Sequence, residues 1–248
     1  MEQSEDVTRI PRHNHSQVPW TKRDMLMATA IGSILVLGLA VAIGFALRFY
    51  HELTGAEWVL RLLGIDVLVG ELALLLPVWL FGVRKYGLPW GTVGFRPFDV
   101  RRAAGLGCLF LLVSFAFNFI WAMLMLVLTG LDVQPDVLPY FGGGAGDLPL
   151  ALLTVSLAAP VAEEAFFRGY LFAGLREHTS LRGAILVSAA LFALVHVLPI
   201  SMPPLFVLGV LFALLYHQTG SIWPAVILHS SMNTLAVLAS YLLQTLEI

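Results

Sequence analysis

Pro160-Val161-Ala162-Glu163-Glu164-Ala165-Phe166-Phe167-Arg168-Gly169-Tyr170 sets three charges inside a run that is otherwise uncharged from Leu148 to Phe172. A charged side chain near the centre of a membrane helix costs roughly 2.5 to 3.5 kcal/mol on insertion scales, so three within six residues require a reason. Helical spacing supplies part of it. Glu164 and Arg168 are four residues apart and share a face, where they can pair. Glu163 lies about 100° further round the helix, so the two carboxylates cannot point the same way. One carboxylate is expected to be structural and the other to face a cavity.

Outward from this stretch, the composition fixes the class. Of 248 residues, 58% are hydrophobic and only 12% charged, against roughly 25% charged in an ordinary soluble domain. The chain reads as an all-α, polytopic integral membrane bundle whose surroundings are the lipid bilayer. A formal net charge of −2 lacks the basic footprint of a nucleic-acid partner. The single cysteine, Cys108, excludes an intramolecular disulfide and a cysteine-based metal cluster.

About seven transmembrane helices are expected. Residues 1–24, with His13, His15, Pro11 and Pro19, read as a mobile polar tail. Helix 1 covers 25–47, and 48–65 reads as an interfacial piece. Helix 2 runs over 66–83 with a kink at Pro77, which puts Glu71 near its start as an acid close to the membrane interface. Helix 3 covers 103–128, and its Asn118 reads as an interhelical hydrogen-bonding residue. The connection 129–147 holds Pro135, Pro139 and Gly142-Gly143-Gly144 and reads as a flexible loop. Helix 4 extends from Leu148 to about Gly174, bent by Pro160. Helices 5 (183–197) and 6 (204–216) are shorter than the ~20 residues that cross a bilayer, so the link 198–203 is expected inside the membrane. Helix 7 covers 222–243. Of the 14 Lys and Arg, all but Arg48 and Arg61 fall on segments sharing the side of the N-terminus. The positive-inside rule makes that side, and the N-terminus, cytoplasmic.

Three further polar residues stand inside apolar helices of the last third: His196, and His229 with Asn233 one helical turn apart. At ~1.5 Å rise per residue from the cytoplasmic ends, Glu163 comes out near ~17 Å deep, His196 near ~20 Å, His229 near ~12 Å and Asn233 near ~18 Å. These depths are compatible with one site. A lone histidine or asparagine in a membrane helix is usually packing glue. Together, a carboxylate, two imidazoles and an amide supply a general base, ligands for water or metal, and oxyanion donors, the parts that amide hydrolysis needs.

Three motifs in order, Glu163-Glu164-x-x-x-Arg168, Phe192-x-x-x-His196 and His229-x-x-x-Asn233, resemble those of the CPBP intramembrane proteases. That family includes the CAAX prenyl endopeptidases and bacteriocin-immunity homologues. Gly220-Ser221-Ile222-Trp223-Pro224-Ala225 is similar to the family's approach to its last motif, and the resemblance covers roughly residues 148–238. It implies that Glu163 activates a water with help from His196, that His229 and Asn233 stabilise the oxyanion, and that Glu164 and Arg168 hold the site together. It leaves two cofactor readings open: a zinc ion on Glu163, His196 and His229, which could furnish the three protein ligands a catalytic zinc normally wants, or a metal-free glutamate protease.

The expected organisation is therefore a tail (1–24), N-terminal membrane helices with connectors (25–147) and a CPBP-like catalytic core (148–248). Its substrate would be a peptide or membrane protein, prenylated or not, met from the cytoplasmic side. Two other classes fit intramembrane Glu and His: a proton- or ion-coupled transporter, or a non-catalytic scaffold or immunity protein. Against the transporter stands the lack of repeat halves.

Overall fold

The computed structural model describes residues 18–56, 58–130, 138, 141 and 146–246. Among these residues the backbone is helical without strands, in seven helices: α1 (Lys22–Thr54), α2 (Leu62–Arg84, led in by helical turns from Trp58), α3 (Val100–Thr129), α4 (Leu148–His178), α5 (Leu181–Val195), α6 (Pro199–Thr219) and α7 (Trp223–Thr245). All except α5 are long and apolar enough to cross a membrane. The outer helices leave large apolar side chains uncovered, Phe45 of α1 at 74% and Val127 of α3 at 77% exposed. In water such surfaces would aggregate; in hydrocarbon they cost nothing.

Local chemistry sets the helix starts. The Thr21 hydroxyl accepts the Asp24 N–H at 3.2 Å while the Asp24 carboxylate accepts the Thr21 N–H at 2.9 Å, a reciprocal capping box that opens α1. Asp99 caps α3 by accepting the Arg102 N–H, and Ser180 caps α5 by accepting that of Gly183. Between α6 and α7, Gly220 stands at φ 69°, a left-handed turn that glycine adopts without a Cβ clash. The Ser221 hydroxyl then donates to the Arg96 carbonyl at 2.6 Å, and the Ile222 N–H donates to that of Gly94 at 3.0 Å. The connector between α2 and α3 is thereby stapled to the α6–α7 turn.

Helix α4 is the hub, packed against α2, α5, α6 and α7, and every residue from Ala165 to Phe172 is buried. A Cβ on Gly169 would strike the Val93 carbonyl, which is how closely the connector approaches it. Where α6 crosses α5, a Cβ on Gly209 would stand 2.8 Å from the Ala189 Cα. The missing side chain lets the backbones touch, the usual basis of close helix packing in membranes.

Several expectations are corrected. No interfacial piece separates the first two helices: α1 continues to Thr54, because Arg48, His51 and Glu52 sit on the last turns of one long helix, and the next begins at Trp58. The link 198–203 is a 3₁₀ turn, Pro199–Ser201, that runs directly into Met202–Thr219, so α6 attains spanning length while α5 does not. Asn118 donates to the Ser114 carbonyl of its own helix at 2.9 Å rather than to a neighbour. Within the expected tail, Val18, Trp20 and Asp24 are buried: Trp20 is 1% exposed, stacks on Tyr170 with ring centroids 4.9 Å apart and donates to the Tyr170 carbonyl. His13 and His15, and the prolines and glycines expected to loosen the 129–147 loop, lie outside the described residues.

Candidate active site

Glu163 and Glu164 end a short regular stretch, Ala159–Glu164, between two wide π-helical stretches, Leu152–Ala158 and Ala165–Phe172, the second of which carries Arg168. Pro160 lacks an N–H and crowds the carbonyl of the preceding turn, which a wider turn relieves. The resulting register shift redirects the side chains around Glu163 and Glu164.

Glu164 and Arg168 are both fully buried and pair as their spacing predicts, with Arg168 Nη1 donating to Glu164 Oε1 at 2.9 Å. Arg168 Nη2 donates to the Gly209 carbonyl at 3.2 Å. The guanidinium lies over the Phe192 ring at 4.4 Å and the Phe212 ring at 5.1 Å, contacts that attract a cation electrostatically. Three helices, α4, α5 and α6, thus converge on one guanidinium.

His229 of α7 joins the two carboxylates. Its Nδ1 lies 3.2 Å from Glu164 Oε1, and its Nε2 lies 3.9 Å from Glu163 Oε2. A carboxylate held by arginine can only accept, so we assign the ring proton to Nδ1, which leaves Nε2 directed at Glu163. Stacking on Phe212, centroids 4.9 Å apart, fixes the ring plane. Arg168 therefore orients Glu164, and Glu164 orients His229.

Glu163 Oε2 is buried and accepts no hydrogen bond from the described protein atoms. Its side chain borders a cavity of about 160 Å³ between α1, α2, α4 and α5, whose other lining residues include Ser33, Glu71, Leu74, Phe167 and His196. His196 caps α5 and donates Nδ1–H to the Phe192 carbonyl at 2.7 Å, which leaves Nε2 as an acceptor. The next residue, Val197, has φ 53°, a left-handed conformation unusual for a β-branched residue, and it ends α5 directly after the imidazole. Asn233 donates Nδ2–H to the Val155 carbonyl at 2.8 Å, tying α7 to the first π stretch of α4.

The structure thus joins Glu163, Glu164, Arg168 and His229 in one network and sets His196 on the same cavity as Glu163. Asn233 is held one turn away on the α4 backbone. Among the described residues no three His, Cys, Asp or Glu side chains are grouped to hold a metal ion. The donor set Glu163, His196 and His229 does not, as it stands, fit zinc.

Sequence reasoning missed Glu71. Placed at the start of helix 2, it read as an interface acid. With helical turns beginning at Trp58 it stands well inside the helix instead and lines the same cavity as Glu163. The signal was available, since Val67 to Val83 carries no other charge.

Residues 145–235 match the family model described as Type II CAAX prenyl endopeptidase Rce1-like. The Bacillus subtilis (strain 168) protein named "Putative membrane peptidase YdiL" is 34% identical over 91 residues, 37% of this chain and 37% of that protein. The chain therefore matches little more than a third of that relative's length. No solved structure matches it.

Proposed function

We propose that this protein, whose residues 145–235 match the Rce1-like family model, is an intramembrane endopeptidase whose nucleophile is a water activated by Glu163. The observation that carries the reading is the Glu163 side chain bordering a cavity, with one carboxylate oxygen that accepts no hydrogen bond from the described atoms and lies 3.9 Å from His229 Nε2. At 3.9 Å the two atoms are too far apart for a direct hydrogen bond, and we assign the attacking water to the position that bridges them once substrate entry uncovers Oε2. Glu163 takes a proton from that water as its oxygen attacks the peptide carbonyl, then returns the proton to the leaving nitrogen as the C–N bond breaks. The second hydrogen of the water is directed to His196 Nε2. His229 Nε2, when it carries a proton, donates to the oxyanion. The Asn233 amide hydrogen not given to Val155 can serve it as well. The chemistry needs carboxylate, imidazole and water, and no metal ion takes a step in it.

The substrate is a membrane-associated peptide or protein, prenylated or not, reached from the cytoplasmic side. Cleavage of fluorogenic peptides by the detergent-purified protein tests the activity; ion-coupled flux in proteoliposomes without cleavage would identify a transporter instead. Orientation has its own test. In a Cys108→Ser background, Glu177→Cys, exposed beside Arg176, is expected to react with an impermeant thiol reagent only after the cytoplasmic face is opened. Labelling from outside intact cells would reverse the topology.

A further inference from the structure

The cavity holds one carboxyl that the hydrolytic chemistry does not use. Glu163 takes the water proton and His196 Nε2 accepts the second hydrogen, so Glu71 has no part in activating the nucleophile. It is nevertheless an acid within a helix apolar enough to span the membrane, where an ionisable residue is costly and marks a ligand path or a partner. Among the described residues no basic side chain pairs with it: Lys85 is taken by Asp24, and Arg168 by Glu164 and the Gly209 carbonyl. The cavity thus presents two acids, Glu71 and Glu163, with the His196 imidazole beside them and neither lysine nor arginine in its lining. Its remaining walls are mainly apolar, Val36, Leu37, Leu74 and Leu191 among them.

We propose that Glu71 is a specificity carboxylate, and that the cavity takes a lysine or arginine side chain of the substrate beside the scissile bond. The inference rests on the peptidase reading and names the substrate class for that site. A long basic side chain has an apolar stem and a charged head, which matches a narrow apolar cavity with a carboxyl in its wall. Complementary charge selects the correct partner, because a carboxylate set in an apolar wall rejects an acidic group and is left unpaired by a neutral one. A volume of about 160 Å³ suits one side chain rather than a folded segment.

The test is a matched peptide series carrying Lys, Gln or Glu at each position flanking the cleaved bond, assayed with the full-length purified protein. At one position the Lys peptide is expected to exceed its Gln counterpart in kcat/KM on the order of 10²-fold. Glu71→Gln should collapse that ratio to within a few-fold, and Glu71→Lys should turn the preference toward the Glu peptide. If Glu71→Lys does not fold, Glu71→Gln carries the comparison. Binding of the labelled Lys peptide, followed by fluorescence anisotropy, should weaken in Glu71→Gln by a similar factor whether or not any peptide is cleaved. A parent that cleaves Lys and Gln peptides alike, or a lysine preference that survives Glu71→Gln, overturns the inference and leaves the peptidase reading standing. A parent that cleaves nothing counts against the peptidase reading, and the anisotropy difference then decides the subsite.

Discussion

Arg168→Ala is expected to yield little folded protein. The guanidinium is fully buried, donates to Glu164 and to the Gly209 carbonyl, and lies against two aromatic rings. Removing it strands the Glu164 carboxylate where no water can solvate it, a change that typically costs ~3 to 5 kcal/mol, a large share of an ordinary domain's total stability. Arg168→Lys should also destabilise, since a single ammonium cannot reproduce the planar fork reaching both partners. Glu164→Gln should fall in the same direction, because it leaves Arg168 buried without its counter-charge and loosens the hold on His229. The double variant Glu164→Gln/Arg168→Met removes both charges and should recover part of the loss, the non-additivity expected of a directly interacting pair. Thermal melts in detergent measure all four. Single variants melting with the parent would remove the structural role of the pair.

Glu163→Gln is expected to behave in the opposite way: folded but inactive. The amide preserves size and reach but cannot accept the proton of the attacking water, and loss of general-base catalysis typically costs ~10² to 10⁴ in rate. Substrate binding should persist. Stability should hold or rise, since a neutral amide is cheaper to bury than a carboxylate whose Oε2 has no hydrogen-bond donor among the described atoms. The contrast separates the two adjacent carboxylates by what each contacts. Glu164 is matched by Arg168 and His229, whereas Glu163 faces the cavity.

That division of labour was legible in the sequence, because a 3.6-residue period cannot aim adjacent carboxylates the same way and only Glu164 has an arginine one turn on. The helix count was equally legible from apolar runs between charged connectors. What periodicity could not supply was the local winding. The π stretches around Ala159–Glu164 shift side-chain directions by amounts that no fixed period gives. The start of α2 was obscured because polar residues from Arg48 to Glu52 resemble an interfacial segment, and the resulting error in helix length hid Glu71. The hold of Trp20 on Tyr170 was likewise invisible, because it depends on a contact across 150 positions. Spacing set Asn233 one helical turn from His229, yet its bond to Val155 depends on how α7 crosses α4.

The most direct test of water activation by Glu163 is mass spectrometry of peptide fragments formed in ¹⁸O-labelled water by purified parent and Glu163→Gln, with melting curves alongside. The account predicts parent fragments carrying one ¹⁸O in the newly formed C-terminal carboxyl, and at least a hundred-fold fewer from a mutant that melts no lower. A folded parent that produces no fragments, or a Glu163→Gln that produces them at the parent's rate, would contradict it.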